Sequence, residues 1–209
     1  LSKYRNFIFI NTPNAALNVV IEQGLVYILK VFFTNVIIGS FSFAYRYTKA
    51  PLSIIISSVG QVFYEEASKN VNAGKDIRPL MFKIQKNLFL FSFPFFILGL
   101  FFAPEVFAFV FSDEYYQAGE IAALLLPWIY LNFLISPVSG ITLIFNKQKE
   151  ALLISIIDLV LRVGSIVAGA VVGDWEFAFF LLSFICSVFS VFAGWWYYHI
   201  ANPHKSKRY

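Results

Sequence analysis

The chain reads as long apolar runs broken by short polar links. Two runs, 88–103 and 177–193, carry no charged residue at all. They are apolar all round rather than striped, the pattern of a helix surrounded by a large core or by lipid. A bilayer core about 30 Å thick takes about 20 residues of helix. Six stretches reach that length: 12–34, 37–66, 80–103, 118–145, 150–173 and 176–200. The pattern predicts an all-α, polytopic membrane protein, with residues 1–209 forming a single lobe of six transmembrane helices. Pro104-Glu105 and the apolar 106–111 that follow are too short to span. They are expected to form a short interfacial segment.

Composition sharpens this picture. Of 209 residues, 59% are hydrophobic and 13% charged, and 26 are Phe, against about 45–50% apolar and ~25% charged in soluble domains. Six wholly apolar helices cannot be hidden inside so short a water-soluble chain, so a soluble enzyme is excluded. The net charge of +4 then needs an explanation, and the links supply it.

The links alternate in sign. Lys3 and Arg5 precede the first stretch. Lys69, Lys75, Arg78, Lys83 and Lys86 lie between the second and third, Lys147 and Lys149 between the fourth and fifth, and Lys205, Lys207 and Arg208 after the sixth. The other three links hold Glu105, Asp113, Glu114, Glu120, Asp174 and Glu176, and neither Lys nor Arg. The positive-inside rule then places both termini and the basic links in the cytoplasm, with the acidic links outside. Basic links also suit the anionic headgroups of the inner leaflet, so membrane lipids, and not nucleic acid, are the partners that the charge implies. Trp195, Trp196, Tyr197 and Tyr198 at one border, and Tyr115, Tyr116 and Trp175 at the other, form interfacial belts.

Six ionisable residues remain inside the spans: Lys30, Arg46, Lys49 and Arg162 against Glu22 and Asp158. Each costs roughly 2.5–3.5 kcal/mol or more in lipid, so each faces a partner, the bundle interior or water. Arg46 and Lys49, at i and i+3, share a helix face about 15 Å deep at ~1.5 Å per residue. They read either as the wall of a water-filled cationic cavity or as halves of interhelical ion pairs. Arg162 lies equally deep, with Asp158 one turn earlier, and the two read as a self-neutralising pair or as part of the same cavity. Lys30 is a turn from its helix end and within snorkelling range of the interface. Glu22 either pairs with Lys30 or serves as a protonatable coupling group. The excess of cations attracts anions in a low-dielectric wall, and Arg suits phosphate or pyrophosphate geometrically.

Pro51, Pro94, Pro127 and Pro137 fall inside spans, where each removes a backbone hydrogen bond and can kink the helix. Pro51, two residues after Lys49, is placed to act as a hinge for the cationic face. Gly169-x-x-x-Gly173 matches a helix-packing pattern. The single Cys186 and the two histidines make no metal or disulfide spacing, and no phosphate-loop, dinucleotide or nucleophile-elbow motif is present. No metal, cofactor or catalytic residue is therefore expected. The chain begins at Leu1, and its only Met is Met81; it is expected to be part of a longer protein.

Several short motifs occur in order: Tyr4-Arg5-Asn6-Phe7 with Asn11-Thr12-Pro13, Ala44-Tyr45-Arg46 with Ala50-Pro51-Leu52, Gly60-Gln61-Val62-Phe63-Tyr64 with Ala67-Ser68, Phe102-Ala103-Pro104-Glu105, Pro127-Trp128 and Ser136-Pro137. Together they resemble the C-terminal half of a Wzx-type polysaccharide flippase of the multidrug/oligosaccharidyl-lipid/polysaccharide exporter superfamily, from about residue 4 to 170. The resemblance implies a twelve-helix protein of two facing lobes in a bacterial inner membrane. It also implies a substrate, undecaprenyl-pyrophosphate-linked oligosaccharide, flipped outward by alternating access for O-antigen or other surface polysaccharide synthesis. Polysaccharide polymerase machinery is the partner implied. The family's cationic cavity would map to Arg46 and Lys49, with Arg162 and Lys30 as further members. The N-terminal lobe is absent from this chain. The competing readings are a multidrug/cation antiporter or lipid II flippase of the same superfamily, a membrane-embedded polysaccharide-synthesis enzyme, and a structural subunit.

Overall fold

The computed structural model describes residues 24–201. Residues 24–32 form the described part of helix α1; Glu22 and most of the first predicted span lie outside the described residues. Helix α2, Asn35–Asn72, is 38 residues long, roughly 57 Å at ~1.5 Å per residue. It outruns the hydrocarbon and carries Glu65, Glu66 and Lys69 past it on an unbroken helix. Pro51 sits inside α2 without interrupting it. Next to it, the Ser53 hydroxyl donates to the Ala50 carbonyl at 2.7 Å.

Helix α3, Arg78–Val110, contains both Pro94 and Pro104. The expected separate interfacial segment at 104–111 is therefore corrected: the helix runs straight through it. A proline costs a helix one backbone hydrogen bond, which a helix in apolar surroundings absorbs, and the apolar run continues to Val110. The facing helix α4, Tyr116–Ile135, packs closely here: a Cβ on its Gly119 would lie 2.6 Å from the Ala103 carbonyl oxygen and 2.8 Å from Pro104 N.

After a single turn of 3₁₀ helix at Asp113–Tyr115 comes α4, Tyr116–Ile135. The fourth predicted span, 118–145, is not one helix. It ends at Ile135, passes through a 3₁₀ turn at Ser136–Val138 and resumes as the short α5, Ile141–Ile144. Pro137, without an N–H to donate, lies in that turn, so it marks a break and not a kink. Asn146, at φ 54°, then reverses the chain into α6, Gln148–Val172, and α7 follows at Trp175–Ile200. Asp174 caps α7 by accepting from Phe177 N at 3.1 Å. Helices α3, α6 and α7 and the α4–α5 segment are each long and apolar enough to cross a membrane.

Helix α4 is the centre of the bundle and packs on α2, α3 and α7, while α6 packs on α7. The core divides into an end-to-end series. Leu29, Phe41, Ala103, Ile121 and Phe179 cluster where the acidic links lie. Phe63, Met81, Val138, Ile141 and Ala201 cluster at the opposite, basic end. The folded chain thus gathers its described basic links at one end and its acidic links at the other, as the alternation of charge requires. The outer faces carry aromatic and aliphatic side chains, such as Phe91, Phe95, Phe101 and Phe109, the last 91% exposed.

Helices α6 and α7 approach as closely as α3 and α4. A Cβ on Gly169 would run into the backbone of Ala178 and lie 3.0 Å from its Cβ, whereas Gly164, on the same helix, has nothing within 4 Å. Replacing Gly169 with Leu is expected to lower stability by about 1–3 kcal/mol, the usual cost of overpacking, read as a lower thermal midpoint in detergent. Gly164→Ala is expected to be neutral or slightly stabilising, since Ala favours the helix. Equal effects at the two positions would remove the close-packing explanation.

A cationic groove between three helices

The side chains that sequence periodicity places on one face of α2 line a groove. Ser42, Tyr45, Arg46, Lys49 and Ser53 repeat at helical spacing, and with Leu25 and Val26 of α1 and Arg162 of α6 they border an open space of about 610 Å³. A volume of several hundred cubic ångströms is the size of a small-molecule site. The groove joins three of the four cations expected inside the membrane. The polar stripe also explains why α2, although the longest described helix, is not among the segments apolar enough to span by hydropathy: its polar face turns to the groove and not to lipid.

Each cation is held differently. Arg162 pairs with Asp158 one turn earlier on α6, and their side chains are only 12% and 18% exposed. Its guanidinium also lies over the Trp128 ring of α4, 4.6 Å from the centroid, an arrangement that favours a desolvated cation. Its Nε–H is buried and has no acceptor among the described residues, although it has been removed from water at a cost. Lys49 donates to the Tyr45 hydroxyl at 3.0 Å and lies 4.9 Å from the centroid of the same ring. Arg46 is exposed along the groove. The ion pairs within 24–201 are Arg78–Asp76, Lys147–Glu150 and Arg162–Asp158, and Arg46 enters none of them.

An aromatic column fixes this geometry. Phe179 of α7 stacks on Phe41 at 5.0 Å, Phe41 on Tyr45 at 5.9 Å, Tyr45 on Trp128 at 5.8 Å, and Arg162 closes the series. Four helices therefore set the position of two of the groove cations. Sequence reasoning assigned Tyr45 and Trp128 no role in the site. The signal was present: Tyr45 is one turn before Lys49, and Trp128 lies mid-span, far from the interfaces where Trp normally collects.

The other expected site residues fall elsewhere. Lys30 is exposed near the end of α1, 5.4 Å from the centroid of Tyr27 on its own helix, and does not border the groove. Pro51 follows the groove residues Lys49 and Ala50 but is not part of the lining. Glu22 lies outside the described residues.

A family model described as "Polysaccharide biosynthesis protein" matches residues 3–120, more than half of the chain. The match takes in α2 with Arg46 and Lys49 and stops before Trp128, Asp158 and Arg162. No curated protein matches the chain, and no solved structure does.

The Asp158–Arg162 pair has a measurable signature. Asp158→Asn leaves a buried guanidinium unpaired and is expected to cost about 3–5 kcal/mol, while Asp158→Leu combined with Arg162→Met regains most of it. Thermal unfolding of the single and double variants in detergent tests this. A double variant no more stable than Asp158→Asn would show that the pair is not the reason for either residue.

Proposed function

Because the chain belongs to the polysaccharide biosynthesis protein family, we propose that it is part of a transporter that moves a lipid-linked oligosaccharide from one leaflet to the other. The observation that carries the proposal is the convergence of Arg46, Lys49 and Arg162 on one groove inside an otherwise apolar bundle. Transport needs a polar headgroup to cross a region where an ion has no water, and a positive, partly hydrated wall lowers that barrier for an anion. The diphosphate that joins such an oligosaccharide to its polyprenyl carrier is that anion, and undecaprenyl pyrophosphate is the carrier proposed. The substrate travels from the cytoplasmic to the outer leaflet of a bacterial inner membrane, with both ends of this segment in the cytoplasm.

The three cations take different parts. Arg46, exposed and outside the described ion pairs, binds phosphate oxygens, and its planar fork allows two parallel bonds. Lys49, steadied by Tyr45, adds a point charge one turn nearer the cytoplasmic end. Arg162 keeps Asp158 as its counter-ion and adds positive charge from the far wall. The proposed protein is completed by a second lobe facing α1 and α2, so that the groove becomes half of a central cavity that opens alternately to each side. This is a transport role and not a catalytic one: no bond in the substrate needs to break. A multidrug or cation antiporter is disfavoured because acids, not cations, would then dominate the groove.

The test uses the full-length protein in a host deleted for its own flippase. Arg46→Ala and Lys49→Ala are each expected to lower surface polymer about tenfold or more, the worth of a charge-assisted hydrogen bond. Lipid-linked repeat units should accumulate on the cytoplasmic leaflet while membrane levels of the protein hold. Arg46→Lys should retain part of the activity. Unchanged export in the Arg46→Ala, Lys49→Ala double variant would overturn the proposal.

A further inference from the structure

A second groove opens on the opposite side of α2, toward the basic end of the bundle. It lies between α2 and α3, encloses about 310 Å³, and is bordered by Ser58, Val59, Val62 and Glu66 on one helix and by Leu80, Lys83, Ile84 and Asn87 on the other. The helices run antiparallel, so Glu66 faces Leu80 and Lys83, and Ser58 faces Asn87. The groove is thus graded along its length. At its outer end stand one carboxylate and one ammonium. One turn deeper on α3, about 6 Å at ~1.5 Å per residue, stands the amide of Asn87, and about 12 Å deeper on α2 the hydroxyl of Ser58. The wall between them is aliphatic.

The two charges do not neutralise each other. Glu66 and Lys83 are both exposed, and they are in none of the ion pairs among the described residues, Arg78–Asp76, Lys147–Glu150 and Arg162–Asp158. The Ser58 hydroxyl donates to the Ile54 carbonyl at 2.9 Å, which leaves its oxygen as an acceptor, and Asn87 offers an amide donor. Nothing from the rest of the described chain fills the space. α3 is long and apolar enough to cross a membrane, and the groove on its flank would then open onto lipid.

We propose that this groove binds a phospholipid with a zwitterionic headgroup that ends in a primary ammonium, an aminophospholipid. Charge complementarity selects it. The lipid phosphate meets Lys83, and the headgroup ammonium meets Glu66. The ester carbonyls lie at the depth of Asn87, whose amide donates to them, and the start of an acyl chain runs along Val59, Val62 and Ile84. An anionic lipid without an ammonium would satisfy Lys83 but face the Glu66 carboxylate. A choline headgroup would meet Glu66 with no N–H to donate. The site is separate from the cationic groove and does not depend on the transport proposal.

Native mass spectrometry of the detergent-purified protein, given equimolar phosphatidylethanolamine, phosphatidylcholine and phosphatidylglycerol, tests this. Phosphatidylethanolamine is expected to be the dominant adduct. Glu66→Gln should remove its advantage over the other two. Lys83→Gln should weaken all three about fivefold, the effect of one interfacial charge. Val62, 63% exposed, can carry a larger side chain without disturbing the core, so Val62→Trp should fill the groove and reduce every adduct with both charges in place. Thermal midpoints of the variants check that each is folded. Equal retention of the three lipids, a preference for phosphatidylglycerol, or full phosphatidylethanolamine binding by folded Val62→Trp would each overturn the proposal.

Discussion

Hydrocarbon offers no hydrogen bonds, and every polar group in this molecule is placed by that constraint. The chain forms helices and, among the described residues, no strand, because a helix satisfies its own backbone. Two buried hydroxyls turn back on the helix that bears them: Ser92 donates to the Leu88 carbonyl at 2.6 Å and Ser190 to that of Cys186 at 2.8 Å. Where Pro104 removes a backbone donor, α3 continues unbroken, and the bare backbone of Gly119 packs closely against it. The mid-span guanidinium of Arg162 is likewise held by a carboxylate and an indole face.

The same constraint separates the helices by role. α3 and α6 expose much of their surface and are apolar over most of their length, with the Asp158–Arg162 pair turned inward on α6. α4 is enclosed by its neighbours and supplies Trp128 to the core. α2 carries two cations at mid-depth, Arg46 and Lys49, and its stripe is tolerable because it borders a groove. Two opposite faces of α2 thus border two different grooves: one positive and set by an aromatic column, the other aliphatic with one carboxylate and one ammonium at its basic end.

Coupling between these parts is mechanical. The column from Phe179 through Phe41, Tyr45 and Trp128 to Arg162 ties α7, α2, α4 and α6 together. A displacement of α2 that moved Arg46 and Lys49 would shift Tyr45, and with it the ring against which Arg162 rests. Close approach at Gly119 and Gly169 leaves α3 on α4 and α6 on α7 little freedom to slide. Motion is therefore expected of the bundle as a body, with the groove carried along.

Much of this was legible in the amino-acid sequence. Apolar run length determined the spans of α6 and α7 to within a residue or two, and alternation of link charge determined which ends lie together, because both are properties of the chain against its solvent. The i,i+4 spacing of Asp158 and Arg162, and the shared face of Arg46 and Lys49, followed from helix geometry alone. Other features were decided only by the fold. Pro104 was expected to open a separate interfacial segment, but α3 runs through it, with Gly119 of α4 packed closely against the turn. The fourth segment breaks at Ser136–Val138 although its hydropathy continues. Trp128 became a support for Arg162, and Lys30 was left outside the groove. Each of these depends on which helix faces which, and contacts between residues far apart in sequence leave no periodic trace along the chain.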